Sequence, residues 1–260
     1  SIINPTSANI IIGSVTTNNY QHTLQLDGTT SGNIINGVMS DNITVLNVTK
    51  NNSSIWILSG INTYTGYTTI SGGTIKLGAS GGIPDLSAVT ISSPGILDVN
   101  SYSEIVGSIA GNGIIDNVTG AGTPTLTCGG NNTTTVFSGV IKNSSGNLAL
   151  TKVGTGELNF TYSNLYSGTT TVNQGTLVFS DIGSVYNNGT AAGSIVVNNG
   201  GTIRFDRSDF MGTHMVVPIA TVTVNAGGTL FANGTYTTLY NLTLSGGTLL
   251  SNGGAWPLWG

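Results

Sequence analysis

The stretch VNQGTLVF, residues 172–179, reads as apolar, polar, a glycine-containing turn, then threonine, apolar, any residue, apolar. In an extended chain, side chains alternate with a period of two. Val172, Leu177 and Phe179 therefore point to one side, and Thr176 and Val178 to the other. Gly175 falls at the bend, where a side chain would obstruct the turn or force an unfavourable φ. The same phrase returns as ISGGTIKL (70–77), VNNGGTIRF (197–205), VNAGGTLFA (224–232) and LSGGTLLS (244–251), with a weaker copy in ISSPGILDV (91–99). Its matching positions are 74, 96, 176, 202, 229 and 248, with neighbouring spacings of 22, 26, 27 and 19 and a long gap after 96. A spacing near two dozen that varies in its loops but not in its strands suits one coil of a β-solenoid.

One residue in the phrase changes freely. The outward position is Lys76, Asp98, Val178, Arg204, Phe231 and Leu250 in the six copies, while its flanks stay apolar apart from Ala232 and Ser251. That parity separates a wet face from a dry one. A single coil cannot bury its dry face alone, but stacked parallel coils about 4.8 Å apart bury it continuously. About a dozen coils would make a rod of roughly 50–60 Å. The predicted fold is all-β: a right-handed parallel β-helix, with 1–260 as one continuous solenoid segment. A propeller blade needs roughly 40–45 residues and four antiparallel strands, and these units recur faster than that.

A longer repeat contains the short one. Residues 37–77 align without a gap to 139–179, at an offset of 102, with 12 identities in 41 positions. The identical pairs include Thr49/Thr151, Lys50/Lys152, Asn62/Asn164, Tyr64/Tyr166, Gly73/Gly175 and Thr74/Thr176. The two segments are expected to share one backbone path over four or five coils. Ile70, Val172, Leu77 and Phe179 should then be buried, with Lys76 and Val178 facing out.

Composition narrows the function classes. Charged residues are 6% of the chain and the net charge is −4, so strong charge repulsion does not favour disorder. The six Lys and Arg residues are scattered, which argues against nucleic acid as a partner. No apolar run approaches the ~18 residues of a membrane span, so no direct membrane insertion is expected. Ser1 begins in mid-pattern, which suggests a mature product or a fragment. Cys128 cannot form an intramolecular disulfide and reads as a small core residue.

The stretch 137–179 resembles the autotransporter-associated β-strand repeat. Its signature is carried here by FSGVI (137–141), LTKVGTGEL (150–158) and YSGTTTVNQGTL (166–177). The copy at 37–77 departs from it, with TKNNSSIW in place of TKVGTGEL, so the glycine positions are lost. GSIAGNGII (107–115) is similar to the glycine-rich segments between such repeats. The resemblance implies a β-helix at the bacterial outer surface or outside the cell, serving as a stalk, coat, adhesin or filament subunit. It supplies no catalytic residues.

The densest group of reactive side chains is RFDRSDFMGTHMVVP (204–218), an irregular loop that breaks the repeat. Arg204, Asp206, Arg207, Asp209 and His214 are the candidate binding residues, suited to bidentate hydrogen bonds with a glycan or a protein. Val178, Phe231 and Leu250 form a candidate lateral-contact strip, with Arg204 placed to lie over the Phe231 ring. Asp98, Asp116 and Asp181 each follow or end a strand, but no repeated Gly-Gly-x-Gly-x-Asp register accompanies them. Neither a metal nor a cofactor is expected. The many N-x-Ser/Thr triplets follow from composition. Trp256 and Trp259 in the tail suit a cap on the last coil. The expected partners are other copies, neighbouring solenoid segments or surface glycans. A polysaccharide-processing enzyme is the alternative and would need several carboxylates meeting in a groove. Ice binding would need a continuous threonine array, and the Thr-Thr pairs at 68–69, 170–171 and 237–238 recur irregularly.

Overall fold

Every strand pairing among the described strands is parallel, and the chain winds repeatedly through the same sheets. The structure is a computed structural model that describes residues 1–17, 19, 22–180, the backbone of 184–185, 193–206, 221–234 and 241–253. A long sheet of 12 strands begins at Ile2–Ile3 and ends at Thr248–Asn252. A second sheet of seven strands runs from Ile11–Ile12 to Val140–Lys142. A third sheet of seven runs from Glu104–Val106 to Leu242–Ser245. Where a coil uses all three, it passes from the long sheet to the second and then to the third. The result is a β-solenoid with its core between the sheets.

The short motif stacks as its spacing predicted. Thr74 pairs with Ile96 in the second sheet, and Thr176, Thr202, Thr229 and Thr248 are successive partners in the long sheet. The inward positions form columns. Phe137, Phe160, Phe179 and Phe205 line up with ring centroids 6.3, 5.7 and 6.0 Å apart. All four are fully buried, and Ala232 then Ser251 continue the column. Ile70, Leu77 and Val172 are likewise 0% exposed, and Lys76 is only half-buried. Cys128 is a buried core residue whose thiol burial pushes up to about 12.

The long repeat keeps its local path but changes sides. Thr49 and Thr69 lie in the long sheet, whereas their counterparts Thr151 and Thr171 lie in the third. Thr74–Leu77 lies in the second sheet, and its counterpart Gly175–Phe179 in the long sheet. The 102-residue offset is therefore four coils and about two-thirds of a fifth, not a whole number. Loop lengths set this, since coils along the long sheet advance by 19 residues from Leu158 to Leu177 but 27 from Thr202 to Thr229.

Two residues show how the local path survives. Gly73 and Gly175 both have left-handed φ, +61° and +68°, and a Cβ at Gly175 would meet the Gly154 carbonyl at 2.4 Å. Asn52 takes the place of Gly154, with φ of 52° against 67°. Asparagine is among the few other residues that visit this region readily, so the TKNNSSIW departure keeps the turn.

Between Met39–Ser40 and Glu104–Val106 the third side is tied partly by side chains. Asn62 Oδ1 accepts the Met39 N–H at 2.7 Å, and its Nδ2 donates to the Gly82 carbonyl at 2.7 Å. The Glu104 carboxylate accepts N–H groups from Gly81 and Ile83 at 2.8 and 2.6 Å. These groups occupy the positions of ladder partners, because buried main-chain N–H groups require acceptors. Glu104 is 1% exposed, and burial, assisted by Asp85, pushes its carboxyl up to about 7 against the backbone hydrogen bonds. The native chain thus holds a proton that the unfolded chain releases between pH 4.5 and about 7, so this group's contribution to stability falls as pH rises through that window. Relative to Glu104→Gln, wild-type stability should decline by about 3 kcal/mol from pH 4.5 to 8. Urea melts of both proteins across that range measure it, and parallel pH profiles would refute it.

Candidate functional site

The first two residues of the candidate segment, Arg204 and Phe205, belong to a strand instead of a loop. Arg204 lies within Gly201–Phe205, a regular strand of the long sheet, and Asp206 follows it. Arg207, Asp209 and His214 lie outside the described residues, as do Asp181, Trp256, Trp259 and the 237–238 threonine pair.

Arg204 is engaged within the chain. Its Nε donates to both Asp206 oxygens at 3.0 and 3.1 Å, and its Nη1 and Nη2 donate to the Glu157 carboxylate at 2.8 and 3.3 Å. These hydrogen bonds hold the guanidinium charged and raise its pKa. Asp206 also accepts from Asn233 Nδ2 at 2.9 Å. The three charged side chains are only about a quarter exposed, so the cluster is partly screened and ties adjacent coils together.

This clamp corrects the lateral strip. Val178, Arg204, Phe231 and Leu250 are successive partners as expected, but Val178 is 0% exposed. Glu157 sits on the far side of the Val178 strand from Arg204, so the arginine crosses that strand to reach it. Its aliphatic stem covers the surface that Val178 was expected to offer. The guanidinium accordingly turns away from Phe231 instead of lying over its ring. Phe231 is half-buried, and Leu250 is 47% exposed.

A second charged row was not anticipated. Lys76, Asp98, Asp116 and Lys142 are consecutive partners on the outer side of the second sheet. Lys76 pairs with Asp98 at 3.6 Å and Lys142 with Asp116 at 3.0 Å. Both aspartates are buried. Asp98 accepts from the N–H groups of Asn100 and Val118, and Asp116 from Ser144 N–H and Oγ–H. Each carboxylate fastens a turn, an arrangement suited to structure and not to a paired acid and base. Among the described residues, no group of three or more His, Cys, Asp or Glu could hold a metal ion.

Four polar identity pairs of the long repeat, Lys50/Lys152, Asn62/Asn164, Tyr64/Tyr166 and Thr68/Thr170, lie inside the rod. Lys50 and Lys152 are buried, and their amines donate to the carbonyls of Asn51 and Asn52, and of Val153, Gly154 and Gln174. Burial depresses both amines, that of Lys50 to about 8. Tyr64 and Tyr166 bond Thr68 and Thr170 at 2.7 and 2.6 Å. Asn164 accepts the Ile141 N–H as Asn62 accepts that of Met39. These buried pairs therefore brace turns and the interior, and contact with anything outside falls to the outer faces.

A parallel β-solenoid with internal lysine and tyrosine locks has the architecture of a scaffold-type repeat protein. Residues 48–77 and 150–179 each match the passenger-associated-transport-repeat model. The chain is also 35% identical over 166 residues to an adhesin, the BmaC autotransporter of Brucella suis biovar 1 (strain 1330). That match covers 61% of this chain and 5% of the adhesin. No solved structure matches the chain significantly.

Proposed function

We propose that this chain is a passenger segment of an autotransporter-like protein, displayed outside a bacterial cell as a rigid stalk with adhesive surfaces. The observation that supports this most is the internal placement of the repeat's shared lysines, asparagines and tyrosines, which serve the turns and leave most outer positions free to vary. The likeness to an autotransporter adhesin supports the same reading. The charged carboxylates described above are tied to lysine, arginine or turn N–H groups, and none is arranged for polysaccharide cleavage.

In this reading, the segment after the Arg204 clamp contacts other copies, neighbouring solenoid segments or surface glycans. Loops that leave a rigid scaffold are where binding residues collect, and charges there set specificity more than affinity. Beads coated with the chain should cluster or attach to glycan-bearing cell layers above an albumin control. The triple variant Asp206→Ala, Arg207→Ala, Asp209→Ala should lose most of that attachment, with stability reduced by no more than about 1 kcal/mol. Undiminished attachment would reduce the loop to a connector. No attachment by the wild-type chain would leave only the stalk.

A further inference from the structure

The third sheet carries a face with an unusual composition. The outward residue at the middle of each strand stacks in register as Ile105, then Thr127, Thr151 and Thr171, then Val196, Thr223 and Thr243. All seven are β-branched, so each side chain is nearly fixed at χ1 before anything binds. All are half-exposed or exposed. Two residues earlier in the chain, Thr125, Thr169 and Thr221 give three of these positions a Thr-x-Thr form. The ladder remains in register there, with Leu150 N–H bonding the Thr169 carbonyl at 3.0 Å and Ile195 N–H that of Thr221 at 2.8 Å. On the other flank, Asn173, Asn198 and Asn225 form an amide ladder with bonds of 2.7 Å, holding the coils in step.

No charged side chain points outward in these rows. Glu104 and Lys152, the acidic and basic residues in these strands, are both buried inside. Outside these rows, exposed Asp85 lies in a turn beside Ile105, Thr125 and Thr127 at one end of the face, and the ion pairs described above belong to the other two sheets. The five central threonine hydroxyls make no side-chain hydrogen bond to another described residue. The face thus presents a two-dimensional array of stiff methyl and hydroxyl groups, about 4.8 Å apart between strands and about 6.6 Å along them.

We propose that this face binds ice, by holding a layer of ordered water. A threonine hydroxyl both donates and accepts, so it can replace a water in a hydrogen-bonded network. With hydrogen bonds of about 2.75 Å, second-neighbour oxygens in a tetrahedral water network lie about 4.5 Å apart, close to the strand spacing. Stiff side chains lose little entropy when the layer forms. A protein partner would instead be anchored by Trp, Tyr or Arg, which these rows lack. An anionic polymer would need the lysines and arginines that are also missing. The threonines come from motif positions that differ between coils, so the Thr-Thr pairs do not reveal the array. Thr68 and Thr170 point inward to tyrosines, and Thr171 alone of the 170–171 pair belongs to it.

The test is to grow ice slowly in a solution of the labelled 260-residue chain and measure the fraction captured. This reads ice binding separately from adhesion to cells. The wild-type chain should enter the ice, and the double variant Thr151→Lys, Thr171→Lys should fall at least about tenfold, because ammonium groups are costly to desolvate against the lattice. Thr69→Lys, on the outer side of the long sheet, should be captured like wild type. If the double variant does not fold, Thr171→Val keeps the shape, removes one hydroxyl and should still reduce capture. Exclusion of the wild-type chain from ice, or equal loss in Thr69→Lys, would overturn the proposal. So would exclusion from ice combined with binding to microcrystalline cellulose, or dimerisation blocked by the same double variant.

Discussion

Phe179→Ala should destabilise the chain by about 4 kcal/mol, within the range for truncating a buried phenylalanine. The ring is fully buried between Phe160 and Phe205, so the cavity opens inside a column instead of at its end. Relaxation cannot fill it readily. The strand above is held by pairing at five successive residues, and the next inward side chain beyond Phe205 is Ala232. In a solenoid each coil interacts mainly with its neighbours, so the loss falls on one inter-coil interface. Urea unfolding should therefore change from one transition to two, with the coils beyond residue 179 melting first. Hydrogen exchange should show protection lost in Gly201–Phe205 and kept in Ile55–Leu58. A single transition shifted by less than about 1 kcal/mol would mean that the column is not limiting.

The motif positions 176, 202, 229 and 248 could be stacked correctly from sequence because in-register parallel coils must place equivalent residues on one another. Burial at Ile70, Leu77, Val172 and Phe179 followed from parity alone. The side of the solenoid did not follow. It depends on how many residues each loop consumes, and loops carry no periodic signal. Hence Lys76 and Val178, equivalent in the repeat, lie on different sheets with different neighbours. Val178 looked available because parity says where a side chain points, and not what reaches across it from another coil.

The internal locks had a signal that went unused. Lys50/Lys152, Asn62/Asn164 and Tyr64/Tyr166 are identical pairs, which is unexpected for solvated residues in a diverging repeat. Counting the lysines only as scattered cations missed them, since buried lysine is rare unless its amine has partners. The Lys76–Asp98–Asp116–Lys142 row had only half a signal. Asp98 and Lys76 were equivalent motif positions, but Asp116 and Lys142 belong to no copy of the motif.

Lys152→Ala should cost about 4 kcal/mol, because charge-assisted hydrogen bonds to buried carbonyls contribute about 1.5–3 kcal/mol and the buried stem adds to that. The amine reaches the carbonyls of Val153 and Gly154 at 2.6 and 2.8 Å and that of Gln174 at 3.3 Å, so it joins the turns of two successive coils. Alanine removes the donor and the stem together, leaving three carbonyl oxygens without it at turns containing Gly154 and Gly175, both with left-handed φ. Lys152→Met separates the two losses. Methionine restores most of the apolar stem but donates nothing, so it should recover only about 1 kcal/mol. Lys50→Ala should behave alike, although its amine bonds the carbonyls of Asn51 and Asn52 within a single turn, and its cost should be smaller. Denaturant midpoints of the three variants rank these effects. If Lys152→Met proved as stable as wild type, the lysine would act by filling space, and the amine would not be the lock that joins the repeat's turns.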